Sequence, residues 1–164
     1  RKCSMTNQDI IIYTDGSSRG NPGPGGYGII MEECKSGFIK EFSKGFKQTT
    51  NNRMELLAVI DSLKKLKKES LSITIYTDSK YVVNPVEKQW LHSWKKTGFK
   101  NKKNVDLWLE LIPLLEKHKV QFKWIKGHND HPQNERCDKL AFSASKKTKL
   151  FDDVGYNKNL NTLF

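Results

Sequence analysis

Apolar residues in this chain come in short runs separated by polar turn residues, and the period of the pattern changes several times. Ile10-Ile11-Ile12-Tyr13 leads into Thr14 and Asp15, a run of strand length that predicts a first strand over 10–15. Residues 16–26 carry Asn21-Pro22-Gly23-Pro24-Gly25-Gly26 and predict a loop, because proline cannot donate to a ladder and glycine weakens one. Strands over 27–33 and 38–46 read as a hairpin turning at Lys35-Ser36-Gly37. The period then lengthens. Leu56, Val59, Ile60, Leu63 and Leu66 recur at helical spacing over 53–68, after the capping-competent Thr49-Thr50-Asn51-Asn52. A fourth strand over 72–77 precedes Asp78, and a short helix from Ser79 is expected to stop near Asn84-Pro85, since proline restricts the residue before it. Trp108, Leu111, Ile112 and Leu115 share one face of a helix over 105–119, which Pro113 should kink or force to adjust. Val120, Phe122 and Trp124 alternate with Gln121 and Lys123 in a fifth strand over 120–125. A loop over 127–134 and a last helix over 135–146 follow, while 147–164 shows no period.

Hairpin-connected strands followed by strand–helix–strand units predict an α/β fold, a mixed sheet with helices on its faces. The first, fourth and fifth strands would be the parallel ones, and in such sheets ligands gather at the carboxyl ends of adjacent strands. Thr74-Ile75-Tyr76-Thr77-Asp78-Ser79 echoes Ile11-Ile12-Tyr13-Thr14-Asp15-Gly16. Two strands ending on the same Tyr-Thr-Asp would place Asp15 and Asp78 at one sheet edge. Such a pair repels itself unless something positive lies between.

The totals change this picture in two ways. At 164 residues the chain suits one domain with a real core. A net charge of +11 fits either a solvated lysine-rich surface or a polyanionic partner, since clustered Lys and Arg gain affinity by releasing counterions from phosphates. No apolar run nears the roughly 18 residues of a membrane span, and no secretory-signal pattern is visible, so a cytoplasmic monomer that avoids membranes is the default expectation. Cys3, Cys34 and Cys137 form no CxxC pattern, so a disulfide framework is not expected and a reducing compartment is.

Taken singly, each acid has an ordinary explanation. Asp15-Gly16 is a turn dipeptide, Asp78 can cap the helix that follows it, Glu55 suits the start of a helix, and Asp138 is one more helical charge. Together they make four carboxylates in a chain with surplus positive charge. Hard divalent cations want oxygen ligands, and Mg2+ is usually held by a few carboxylates with substrate phosphates and waters. A pair of such ions, about 3.5–4 Å apart, can activate a water and stabilise the leaving oxygen of a phosphodiester.

At these residues the chain resembles the ribonuclease H family, specifically its cellular type 1 enzymes. The resemblance runs from about residue 10 to residue 156. It is carried by Tyr13-Thr14-Asp15-Gly16-Ser17 with Gly20 to Gly26, Thr50-Asn51-Asn52-Arg53-Met54-Glu55-Leu56 and Tyr76-Thr77-Asp78-Ser79-Lys80-Tyr81-Val82. Lys126-Gly127-His128, His131-Pro132 and Asn134-Glu135-Arg136-Cys137-Asp138-Lys139-Leu140-Ala141 complete it. The resemblance implies a five-stranded mixed sheet flanked by helices. It also implies hydrolysis of the RNA strand of an RNA–DNA hybrid, leaving 5'-phosphate and 3'-hydroxyl ends. Asp15, Glu55, Asp78 and Asp138 match the four carboxylates that hold two Mg2+ ions, with Mn2+ able to substitute. His128 matches a loop histidine that serves proton transfer or product release, tasks that suit a near-neutral pKa. Zinc at His128, His131 and Cys137 carries little weight, because a fourth ligand is missing and the spacing is irregular. On this reading residues 1–9 are a flexible segment, 10–146 the catalytic domain and 147–164 a tail.

Substrate choice requires groups that read a 2'-hydroxyl. Asn21, Asn51 and Asn52 match family positions in that region, and an amide offers both donor and acceptor. Thr50 and Asn104 match a pocket for a phosphate of the DNA strand. Trp90, Trp94, Lys95 and Lys96 lie in a basic segment, shorter here than is common, that resembles the family's grip on the hybrid; the bland reading of the two tryptophans is core. Two alternatives are weighed beside this one, a non-catalytic nucleic-acid-binding module of the same fold and a DNA-cutting resolvase- or transposase-like nuclease. The first should lack carboxylates, and all four are present. The Asn51-Asn52-Arg53 motif and the Trp-Lys segment argue against the second.

Overall fold

A computed structural model describes residues 3, 7–127 and 131–161, of which 159–161 are described by their backbone alone. The elements run β1 (Ile10–Ser18), β2 (Gly23–Glu33), β3 (Ile39–Thr49), α1 (Asn51–Lys64), β4 (Ser72–Thr77), α2 (Lys80–Glu87), α3 (Trp90–Lys96), α4 (Val105–Glu116), β5 (Lys119–Trp124), α5 (Pro132–Ser145) and α6 (Val154–Asn161). The five strands form one sheet in the order β3-β2-β1-β4-β5. The β1–β2 and β2–β3 pairs are antiparallel; β1–β4 and β4–β5 are parallel, as the chain order implied.

The central strand explains why its apolar run is unbroken. Helices cover both faces of the sheet, so both alternating sets of β1 side chains are buried. Ile10 and Ile12 face a cluster with Met54, Leu56, Val59, Ile60 and Trp108, on the side of α1 and α4. Ile11 and Tyr13 face Ile30, Tyr76, Ile125 and Cys137, on the side of α5. Each such aliphatic side chain contributes about 1.5–3 kcal/mol on burial. Both faces are therefore anchored, and a one-residue slip of β1 would exchange every one of these contacts.

Four expectations need correction. The predicted loop over 16–26 shrinks to four residues, because β1 continues to Ser18 and β2 begins at Gly23. Pairing with β1 holds the glycine-rich stretch in the sheet, with Ser17 opposite Gly26 and Ser18 opposite Gly25. Pro24 is tolerated because the β2–β3 register shifts between Gly23 and Gly25, where a missing donor costs nothing. The first helix ends at Lys64, four residues early. The helix after Ser79 runs past Pro85 to Glu87, with Val82, Val83 and Pro85 buried, so packing outweighs the lost backbone bond. Cys3 and Cys34 are joined in a disulfide, and Cys137 is a buried thiol. The cysteine pattern therefore gives no argument for a reducing compartment.

The aperiodic tail also has a structure. Phe151 bridges to Phe46, exchanging backbone bonds with Gly45 and Lys47 at 2.9 Å, and α6 follows at once. Among the described residues no helix is long and apolar enough to cross a membrane.

Candidate active site

Parallel pairing of β1 with β4 sets Tyr13 opposite Tyr76, and their rings stack with centroids 5.2 Å apart. Two residues further on, each chain reaches its aspartate. Asp78 is not consumed as a helix cap, because Ser79 takes that place and its Oγ accepts from the Val82 N–H at 3.4 Å. The Trp124 indole N–H donates to the Asp78 carbonyl oxygen at 2.9 Å, bracing this end of β4 from β5. That indole had no role in the sequence reading beyond its place in the strand.

Glu55 comes from α1, and Gly16 lets it. A Cβ at Gly16 would lie 2.5 Å from the Met54 carbonyl carbon and 2.6 Å from the Glu55 nitrogen, so any side chain there would push the helix off the sheet. Glu55 thus sits beyond the first turn of α1 and is buried against the sheet, rather than at the solvated helix start. A second close approach delivers Asp138. Gly28 pairs with Asp15 in the β1–β2 register, and a Cβ at Gly28 would collide with the Cys137 carbonyl. The Cys137 thiol donates to the Tyr13 carbonyl at 3.4 Å, and the next residue, Asp138, comes within hydrogen-bonding contact of Asp15. Burial first, then the Asp15 charge, pushes the Cys137 thiol up, so it is a protonated packing group here.

Carboxylate oxygens of Asp15, Glu55 and Asp78 lie within 4.8 Å of one another. Burial, followed by the charges of Asp78 and Asp138, pushes the Asp15 pKa from 3.8 to about 8. Glu55 moves in the same direction for the same reasons, burial first and then Asp15 and Asp78, and a bond from the Gly16 N–H offsets only part of it. Glu55 Oε1 is buried with no hydrogen-bond partner among the described residues. Three acids crowded within this distance, one with an unsatisfied oxygen among the described residues, form a hard all-oxygen donor set. They fit a divalent cation such as Mg2+. Asp138 stands just outside the trio and joins it through Asp15.

The proposed substrate groups fall on two sides of this cluster. Asn21, Asn51 and Asn52 are exposed at the start of α1. Asn21 Oδ1 accepts from the Asn51 N–H at 3.0 Å, and Asn51 Oδ1 accepts from the Ser18 N–H at 2.6 Å. Their oxygens are thus engaged, and the amide hydrogens are what these two residues offer outward. Thr50 caps α1, its Oγ accepting from the Arg53 N–H at 3.2 Å. Asn104 stands at the start of α4 and shares a cleft of about 580 Å3 with Thr50, Asn52, Lys102, Lys103 and Tyr156. On α3 the tryptophans divide their duties. Trp94 is half-buried edge-on to the fully buried Trp108 at 5.6 Å, while Trp90 is exposed with the Lys88 ammonium 5.5 Å from its ring, and Lys95 and Lys96 are exposed at the end of the same helix. His128 lies outside the described residues.

Sequence reasoning passed over one group. Arg53, 1% exposed, was quoted inside a motif and assigned nothing. It donates to Asp106 at 2.9 and 2.7 Å, to Asp153 at 2.7 and 2.9 Å, and to Asn104 at 3.3 Å. A basic residue among helical positions that face the core was the available signal, since buried charges are paired.

The RNase H family profile matches residues 7–146. The ribonuclease H of Desulforamulus reducens is 53% identical over 152 residues, covering 90% of this chain and 94% of that one. The ribonuclease H of Nitratidesulfovibrio vulgaris is 49% identical over 157 residues, covering 93% and 99%. Among solved structures, LC9-RNase H1, a type 1 RNase H with the type 2 active-site motif, is similar with a TM-score of 0.75 at 32% identity, over 85% of this chain and 73% of that one. LC11-RNase H1 in complex with RNA/DNA hybrid gives 0.64 at 27% identity, over 82% and 95%. With its acidic cluster beside the parallel β1–β4 pair, its five-stranded mixed sheet and relatives matched over nearly their whole length, the chain is a type 1 member of the ribonuclease H family.

Proposed function

We propose that this protein hydrolyses the RNA strand of RNA–DNA hybrids with two Mg2+ ions, leaving 5'-phosphate and 3'-hydroxyl ends. The observation that carries the reading is the trio Asp15, Glu55 and Asp78, gathered within 4.8 Å at one end of the β1–β4 pair, where burial and neighbouring charges raise the pKa of Asp15 and Glu55. These three, with Asp138 beside Asp15, would hold the metal. Mg2+ bound there supplies activation of the attacking water and neutralisation of charge at the leaving oxygen.

The chain's own residues do the remaining work. Asn21, Asn51 and Asn52 present amide hydrogens to the 2'-hydroxyls of the RNA strand. Thr50 and Asn104 take a phosphate of the DNA strand, so a duplex lacking either sugar type is met on one side only. Trp90, Lys95 and Lys96 give α3 an exposed aromatic and two cations to follow the backbone. His128 assists proton transfer or product release. The protein acts as a monomer on a hybrid duplex.

Cleavage of an end-labelled RNA–DNA hybrid in Mg2+, beside duplex DNA and duplex RNA, tests this. The expected result is scission of the RNA strand in the hybrid alone. An intact RNA strand in a hybrid that the protein binds would reject it, and scission of duplex DNA would favour a DNA-cutting nuclease.

A further inference from the structure

The C-terminal segment, which has no pattern in the sequence, is built into the cleft between Thr50 and Asn104. Phe151 lies along the end of β3, hydrogen-bonded on both sides at 2.9 Å. That fixes Asp153, which is 5% exposed and makes four kinds of bond. It takes the Nε and Nη2 hydrogens of Arg53 at 2.7 and 2.9 Å and the Thr49 hydroxyl at 2.7 Å. It also caps α6, its Oδ1 accepting from the Tyr156 N–H at 3.3 Å and its carbonyl from the Asn157 N–H at 3.0 Å. α6 in turn brings Tyr156 to the wall of the cleft.

From Arg53 the chain of bonds continues toward the cleft. Its Nη1 holds Asn104 Oδ1 at 3.3 Å, while the Asn104 amide donates to the Tyr81 hydroxyl at 3.0 Å. Asn104 is in a left-handed conformation, φ 59°, and makes no side-chain cap bond to its own helix. Its orientation is therefore set by partners outside α4. One amide hydrogen remains for a ligand. Thr50 and Asn104 are the N-cap residues of α1 and α4, so the amino ends of two helices of 14 and 12 residues open on the same cleft. Lys102 and Lys103 line it as well. The cleft, whose wall also includes Asp106, thus suits one phosphate received by the two lysines and by neutral donors that must be aimed in advance.

We propose that the C-terminal segment is part of the DNA-strand site: Asp153, acting through Arg53, is a positioning residue for Asn104, and Tyr156 is a contact residue for the phosphate. This rests on the hybrid-cleaving reading above. The carboxylate of Asp153 fixes the guanidinium plane, and the guanidinium fixes the amide. Without it Asn104 can turn, and the phosphate meets an unaimed donor. Cleavage chemistry at the acidic cluster is untouched, so the effect belongs to binding.

The test uses the full chain and a series of hybrids in which one DNA-strand phosphate at a time is an uncharged methylphosphonate. In the parent protein one position is expected to raise KM with kcat unchanged. Asp153→Asn and Tyr156→Phe should each raise KM for the natural hybrid about tenfold, the scale of one lost charge-assisted hydrogen bond, with little change in kcat. In both variants the penalty at that one position should shrink while the others stand. Loss of hybrid cleavage at every position in parallel, or an undiminished penalty at the sensitive position, would overturn the proposal. Tyr156→Phe keeps the test decisive if Asp153→Asn unfolds. A parent protein that leaves the natural hybrid uncut would reject the functional reading itself. Cleavage without this coupling would reject only the role of the tail.

Discussion

Two groups of carboxylates gather around neighbouring residues of α1, Arg53 in one case and Glu55 in the other, and they solve the same electrostatic problem in opposite ways. Asp106 and Asp153 share Arg53 at 2.7–2.9 Å, and the guanidinium beside Asp106 holds its carboxyl below the usual range. At Asp15, burial and the charges of Asp78 and Asp138 dominate and push the pKa to about 8. One group carries its cation in the covalent chain, the other needs a cation from solution. A paired cluster adds specificity to the fold. A cluster of crowded acids marks a candidate binding site.

The comparison is broken most severely at Arg53. Replacing it by Met should cost about 3–5 kcal/mol, since two aspartates lose the guanidinium they share and Asp153 stays buried. Urea unfolding measures this, and a loss under about 1 kcal/mol would mean that solvent already serves both acids. The opposite intervention comes next. Asp15→Asn should lower hybrid cleavage by about 10²–10³-fold, about 2.7–4 kcal/mol in the barrier, while the chain stays folded. Retention of full activity would remove Asp15 from the site.

The smallest effect sharpens the contrast through pH. A carboxyl whose folded pKa lies near 8 and whose ordinary value is 3.8 holds its proton in the native state after the unfolded chain has released it. Native protein then binds more protons, so stability falls as pH rises from about 4 to about 8 and levels off above that. Chelator-treated protein should lose about 1–3 kcal/mol across this window, the ordinary range for an uncompensated buried charge. Thermal melts at stepped pH follow it. Mg2+ or Asp15→Asn should flatten the slope, and an unchanged slope in either case would contradict the cluster's repulsion as its source.

Much of the fold was readable because its signals are local. The Ile10–Tyr13 run, the helical spacing from Leu56 to Leu63 and the strand from Ser72 to Thr77 each follow from periodicity and burial. The echo of Tyr-Thr-Asp foretold Asp15 near Asp78 because parallel neighbours in equal register bring matching positions side by side, Tyr13 opposite Tyr76. The misjudged elements share a cause. Gly23 to Gly26 and Pro85 carry local preferences against strand and helix, and both were overruled by neighbours absent from any short window. The Cys3–Cys34 pairing likewise depends on which segments meet, which cysteine spacing does not state.

By itself, then, the sequence determined the order of strands and helices, the helical faces, the four carboxylates and the surplus of positive charge. Close contact was decided by the tertiary structure. Gly16 and Gly28 admit α1 and α5 to within backbone contact of the sheet, and only at that distance do Glu55 and Asp138 reach Asp15. The same holds for Asp153, polar and unpatterned along the chain, which becomes the partner of Arg53 across an interval of 100 residues. Periodicity records what each residue prefers beside its neighbours in the chain. Charges, by contrast, interact through the distance between them, and folding sets that distance.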